Sequence, residues 1–229
     1  MRNFLIVYTL LLISVSTVYG QINKPNLSVE NPKIWNEFSE QNFTSSNLPI
    51  FIIRTGIEII VDDYKIIADL QVIDKGAGAR NSLTDIPTYT GKIGIEYRGS
   101  SSQMFPKKGY SIETKTDTGE DFKTSLAGLP EEEDWVLIAN YSDKTLIRNA
   151  LAYNLARKAN RYASRTVFCE LFVNNEYMGV YMLGERIKRD KSRVDIANLY
   201  PDENTGDDLT GGYIIKIDKL TGGGDGWYS

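Results

Sequence analysis

The chain has no histidine and one cysteine, Cys169. It therefore cannot assemble by itself a Ser–His–Asp triad, a Cys–His dyad, a His-ligated zinc or an internal disulfide. Any chemistry has to run on carboxylates, lysines, arginines, hydroxyls and a metal or cofactor taken from outside. The densest supply of such groups lies in stretch 92–115. Its first strand ends at Tyr97-Arg98, the loop Gly99-Ser100-Ser101-Ser102-Gln103-Met104-Phe105-Pro106 follows, and Lys107-Lys108 open the returning strand. Small residues let main-chain N–H groups approach an anion, and a lysine at the root of the next strand supplies a point charge. Arg98, the Ser100 and Ser101 hydroxyls and Lys107 or Lys108 together suit a phosphate. Gly94 to Ser101 has part of the Walker A spacing, but Ser100 stands where the lysine is required. The plain alternative is a polar hairpin tip with two solvated lysines. Which of Lys107 and Lys108 points inward depends on register, since a slip of one residue reverses it.

Two further groupings carry charge in suggestive places. Asn140-Tyr141-Ser142-Asp143 leads into a helical pattern holding Arg148 and Asn149, about one and a half turns in, near enough the positive helix end to share an anionic ligand. The structural alternative makes Asp143 an N-cap and pairs Arg148 with the acidic run 131–134. Glu185 follows directly on a buried-looking strand, where a carboxylate can hold a metal or pair with a nucleotide-binding lysine. The basic run RIKRDKSR after it reads as a solvated face. Asp207, Asp208 and Asp218 are metal-ligand candidates with no feature that separates them from surface acids.

The elements that must position these groups are mainly strands. Short apolar or alternating runs at 49–54, 57–61, 65–73, 92–98, 109–115 and 135–139 are separated by Gly, Asp, Asn and Pro, the pattern of β-hairpins. Residues 74–90 carry turn chemistry and form a loop. From Leu146 the period changes: Leu146, Ile147, Ala150, Leu151, Leu155 and Ala159 recur at helical spacing, with Ser142 or Asp143 as N-cap and Arg157, Lys158 and Arg161 near the end. Runs 166–173 and 176–183 flank Asn174-Asn175, a dipeptide suited to a two-residue hairpin turn. A last alternating run, GYIIKIDK at 212–219, predicts a final strand. The expected fold is α+β: antiparallel hairpins with one main helix.

The 229 residues are 41% hydrophobic and 24% charged, a globular balance, and 26 basic against 30 acidic residues give a net charge of −4. Without a basic excess, nucleic-acid binding is not expected. Met1-Arg2-Asn3 followed by an apolar run to Val18 reads as a signal peptide over 1–20, which places the protein outside the cytoplasm, secreted, periplasmic or on the cell surface. The run is shorter than the roughly 20 residues of a membrane span, and no transmembrane segment is expected after cleavage. Residues 21–47, rich in Asn, Ser and Pro, read as a leader or linker with at most a helical turn at 35–38, and 48–229 as the folded domain. The glycine run at 222–224 close after a strand suggests a polypeptide interrupted at residue 229.

Three motifs in order, RGSSSQMFPKKGYSIETK (98–115), WVLIANYSDKTLIRNALAYNLARKA (135–159) and VFCELFVNNEYMGVYMLGERIKRD (167–190), resemble the CotH kinase family, named for a bacterial spore-coat protein. The likeness covers roughly residues 48–218. It implies a divergent kinase-like fold that binds ATP with a divalent metal, Mg²⁺ by default, and phosphorylates protein Ser or Thr. Arg98, Ser100 and Ser101 would face the phosphates, Lys107 or Lys108 would be the nucleotide lysine, and Arg148, Asn149 and Glu185 would complete or brace the site. No catalytic residue is assigned, because the resemblance places the catalytic acids beyond Ser229. A second class of function is a non-catalytic surface or spore-coat assembly or adhesion protein. Carbohydrate binding by exposed aromatics ranks last, since tyrosines such as Tyr97, Tyr110, Tyr177 and Tyr181 alternate within strands as core or cross-strand partners.

Overall fold

The computed structural model describes residues 43–210 and 212–215. Seven strands follow in chain order: β1 (Ile50–Arg54), β2 (Ile66–Ile73), β3 (Tyr89–Arg98), β4 (Gly109–Lys115), β5 (Asp134–Ile138), β6 (Thr166–Val173) and β7 (Glu176–Glu185). One α-helix, α1 (Arg148–Lys158), joins β5 to β6, and 3₁₀ turns occupy Ser101–Met104 and Asp207–Thr210. The sheet closes on itself in the order β1-β2-β3-β4-β5-β7-β6. Direction must reverse an even number of times around a ring, so a seven-stranded barrel needs a parallel contact. Here it is β1 with β6, from Ile50↔Glu170 to Ile53↔Val173.

Alternation fills the interior. Phe51, Ile53, Leu70, Ile93, Ile95, Ile112, Trp135, Leu137, Cys169, Leu171, Tyr181 and Leu183 are buried in one cluster, each such side chain contributing about 1.5–3 kcal/mol through removal from water. β1 is apolar on both faces. Its outward Ile50 and Ile52 form a second cluster with Ile73 and Phe172, against which Phe43, Leu83 and Tyr177 pack. Ser46, in the stretch read as leader, bridges Asn81 through the main chain and donates its hydroxyl to Glu170 at 2.7 Å. Tyr177 closes the same carboxylate from the other side at 2.6 Å.

The α+β expectation is thereby corrected: the described residues are mostly β, a closed barrel with one helix. The separate hairpins of the sequence join because β6 returns beside β1. The helix contributes nothing to the core, with no buried residue and with Ile147, Leu151 and Leu155 about half exposed. It also begins later than its periodicity suggests, because Leu146 sits at φ 61°. The N-cap position falls to Ile147 and not to Ser142 or Asp143, although the Asp143 carboxylate reaches forward to accept the Arg148 N–H at 2.9 Å. The far end closes in a Schellman arrangement, with Asn160 left-handed and the N–H groups of Asn160 and Arg161 bonded to Arg157 and Ala156. The strand expected at 57–61 is irregular chain, with Ile57 and Ile59 largely exposed. Residues 212–215 of the expected last strand are likewise not in a strand. The signal segment, the turn at 35–38 and Asp218 lie outside the described residues. No helix among the described residues is long and apolar enough to cross a membrane.

The Asn174-Asn175 turn shows both residues at positive φ, 49° and 68°. Asn174 does more than turn. Its amide oxygen accepts the Thr55 N–H and its amide nitrogen donates to the Thr55 hydroxyl, both at 2.9 Å. Asn174→Ala is expected to cost about 1–3 kcal/mol by stranding those groups and straining the turn, whereas Asn175→Gly should be neutral or stabilising. Urea midpoints of the two variants check this, and equal losses would show that the turn conformation alone matters.

Candidate functional site

The barrel has two rims. The upper one collects the C-terminal ends of β1, β3, β5 and β6 and the N-terminal ends of β2, β4 and β7. The serine loop, Lys107 and Lys108 fall there because β3 ends and β4 begins there. So does the 139–147 loop, which leaves β5 at the same rim.

Lys107 is the lysine directed at the barrel mouth. Its ammonium lies 4.4 Å from the centroid of the Tyr181 ring and donates to the Val180 carbonyl at 2.6 Å. That carbonyl is past the last β5–β7 rung, Ile138↔Met182, and so has no ladder partner from β5. Burial lowers the Lys107 pKa to about 8, against the opposing pull of Cys169 and Glu170. Gly179 lies beside the ammonium at the irregularity opposite Leu171/Phe172; an added Cβ would stand at an ordinary 3.6 Å from Lys107 Nζ, so it is the φ of 84° and not the space that calls for glycine. Lys108 turns back instead. Its ammonium donates to the Gln103 carbonyl, and its own carbonyl accepts the Tyr181 hydroxyl at 2.8 Å.

The serine loop is a tight turn. Gln103 N–H bonds the Ser100 carbonyl at 3.0 Å and Phe105 N–H the Ser102 carbonyl at 3.2 Å. Gly99, at φ 127°, has no space for a side chain, since a Cβ would fall 2.0 Å from Ser102 Oγ. Arg98, Ser100 and Ser101 are exposed. Phe105 stacks on Tyr141 with centroids 5.0 Å apart, which brings the loop beside the 140–149 segment. Within that segment Asn149 donates to Asn140 at 3.1 Å, and Arg148 Nε lies 3.6 Å from Asp143. Arg148 is the first helical residue, not one and a half turns in, and it does not pair with the acidic run.

Glu185 is not part of this group. Five residues of β7 separate it from Val180, about 16 Å at strand rise, and it sits at the lower rim opposite Trp135. Its fully buried carboxylate is taken by Arg165, through the main-chain N–H at 2.8 Å and the guanidinium at 2.7 Å. The structure thus brings together the loop, the two lysines and the 140–149 segment, and leaves Glu185 as a clamp on the entry to β6.

The lower rim holds a network that sequence reasoning missed. Lys188 Nζ stands 3.1 Å from Glu132, 2.6 Å from Glu133 and 2.9 Å from Asp134. Arg186 pairs with Asp134, Lys123 reaches Glu132 and Asp190, and the buried Arg193 lies over the Trp135 ring and 3.4 Å from Glu132. Both runs are visible in the sequence, the basic one read there as a solvated face and the acidic one as a partner for Arg148; their opposite signs were the available clue.

These placements decide which groups a nucleotide and its metal would find. Arg98, the serine hydroxyls and the lysines fit a phosphate's need for donors and positive charge. The three acids of 132–134 keep their oxygens within 4.8 Å of one another, but an ammonium already stands among them. That triad does not fit a resident divalent metal. Asp207 and Asp208 lie in the second 3₁₀ turn.

Burial alone would raise the Glu133 carboxyl, but hydrogen bonds with Glu132 and Lys188 outweigh it and hold the pKa at about 2, below the usual 4.5. Asp134 is lowered by the same ammonium, against its own burial. Glu132 moves the other way, raised by burial and by Glu133. A depressed carboxyl contributes stability that is full above its ordinary pKa and lost as pH falls through the folded value. The melting temperature is therefore expected to drop between about pH 4.5 and 2. Lys188→Met should cost about 3 kcal/mol at neutral pH and flatten that acid limb. An acid limb of unchanged slope in the variant would refute the assignment.

No curated protein matches the sequence. A model of the CotH kinase protein family matches residues 95–225, which span the serine loop, both lysines, the 140–149 segment, α1 and the β6–β7 hairpin. That is more than half of the chain, and the chain belongs to the CotH kinase protein family.

Proposed function

We propose that the upper rim binds ATP and that the protein, as an exported CotH-family kinase, transfers the γ-phosphate to a Ser or Thr hydroxyl of another protein. The observation that carries this reading is the convergence of Arg98, Ser100, Ser101, Lys107 and Lys108 at one rim, with the Arg148–Asn149 segment joined to them by the Phe105–Tyr141 stack. The family's description as a kinase protein supports the reaction class. The Met1-Arg2-Asn3 start and apolar run support export.

The chain's own residues would bind and orient. Arg98 and the two serine hydroxyls offer donors to phosphate oxygens without breaking any ion pair. Lys107 is half-dehydrated and bonded only to a neutral carbonyl, so a phosphate oxygen is a stronger partner than the one it has. Lys108, holding the Gln103 carbonyl, keeps the loop closed over its root. ATP supplies the phosphoryl group, and Mg²⁺ is the divalent ion such phosphates ordinarily carry. The Glu185–Arg165 pair braces the barrel in this reading and contacts no phosphate.

A second reading is a non-catalytic coat or surface protein on the same fold. The specific observation in its favour is the exposed apolar stripe of Leu151 and Leu155 on α1, continued by Ile147 just before it.

Binding of a fluorescent ATP analogue separates them. Lys107→Ala with Lys108→Ala should weaken it by a factor on the order of ten to a hundred, the worth of a charge-assisted hydrogen bond. The exposed set Arg98→Ala, Ser100→Ala and Ser101→Ala should weaken it with the melting temperature unchanged. The ammonium is the binding form, so wild-type affinity should fall as pH rises through about 8. Absence of nucleotide binding by the folded wild-type chain would favour the coat reading.

A further inference from the structure

A cleft of about 310 Å³ opens at the upper rim, lined among others by Glu58, Tyr97, Tyr110, Asn174, Glu176 and Met178. Its floor is cross-strand aromatic pairing: Tyr97 faces Tyr110 across β3 and β4 with centroids 5.7 Å apart. Its walls are tied down. Asn174 is bonded to Thr55 on both amide atoms, the Thr55 hydroxyl donates to the Glu58 carbonyl at 2.7 Å, and Tyr97 N–H bonds the Val61 carbonyl at 2.8 Å.

The two charged residues that line this cleft are both acidic. Glu58 and Glu176 are exposed, and neither has an ion pair or side-chain hydrogen bond among the described residues. Segment 55–64, which forms one wall, adds Asp62 and Asp63 and contains no basic residue. Lys65, the next cation, is already paired with Glu96 at 3.3 Å. Unpaired carboxylates over tyrosine rings recognise cations, since the ring faces and the acids attract the same charge. Beside them Ile57 is 100% and Ile59 79% exposed, an apolar shoulder suited to the backbone and stems of a polypeptide.

We propose that this cleft is a docking site for a lysine side chain of a polypeptide partner, its ammonium between Glu58 and Glu176 and its methylene stem on Tyr97 and Tyr110. The cleft shares its rim with Lys107, which stands over Tyr181, the ring next to Tyr110, but neither Lys107 nor the serine loop lines it, and the site stands whether or not the protein transfers phosphate.

The test is calorimetric titration of the full chain with acetyl-tetralysine-amide, with the same peptide acetylated on every ε-amine as the neutral control. Binding of the charged peptide and not of the acetylated one is expected. Glu58→Gln with Glu176→Gln should weaken it about tenfold or more, a loss consistent with two charge contacts over an aromatic floor. Asp117→Asn with Glu120→Gln removes two exposed acids at the opposite rim and should leave the affinity unchanged. Equal losses in the two double variants would show attraction to net charge and overturn the site, as would no binding by the wild type. A third arm uses 1,5-diaminopentane. Affinity equal to that of the peptide would overturn the polypeptide partner and make the ligand a free amine.

Discussion

The parallel contact between β1 and β6 is the constraint on which the remaining geometry rests. Without it the seven strands form an open sheet with two bare edges. With it the edges vanish and the inward faces become one core. β1 accordingly needs to be apolar on both faces, because its outer side is covered by Phe43, Leu83 and the β6–β7 hairpin. The closure also explains why the buried Glu170 is tolerated. It lies where β6 meets β1, and Ser46 and Tyr177 each donate to one of its oxygens.

Closure sorts the chemistry by rim. β1, β3, β5 and β6 run toward the upper mouth and β2, β4 and β7 toward the lower, so the first and last residues of any strand stand at opposite mouths. Lys107 and Glu185, both at strand ends and both plausible nucleotide contacts by type, are thereby sent to opposite mouths. Each finds a different partner: a carbonyl and an aromatic ring for the lysine, Arg165 for the acid. The lower rim is sealed by a charge network that includes the fully buried Glu132 and Arg193, the upper by tyrosines that leave room beside them.

Most strands were legible because alternation and turn residues are local signals. Positions 109–115 and 166–173 have the same bounds in both descriptions, and Asn174-Asn175 turns as its chemistry dictates. What was not legible is long-range. Nothing in 49–54 and 166–173 read separately says that they pair in parallel, and so barrel closure was missed. The irregular 57–61 stretch has strand composition, but Ile57 and Ile59 point to solvent, so it joins no ladder. At the site, the loop and its lysines were readable as a group because they are contiguous. The Phe105–Tyr141 contact that adds the second segment, and the Lys188 network that the charge runs build, depend on which strand ends share a rim.

The capped helix has an energetic consequence of its own. α1 is 11 residues long and buries none of them, and helices of that length are marginal in water without packing. Its persistence rests on the Asp143 carboxylate that accepts its first N–H, the Schellman closure at Asn160 and the Arg157 guanidinium bonded to the Ser164 carbonyl at 2.6 Å. Opening α1 would uncover no core residue, whereas opening any barrel strand breaks the ring, so local opening is cheapest at the helix. The crossover from β5 to β6 is thus free to be remodelled by a binding partner without loss of the sheet that carries it.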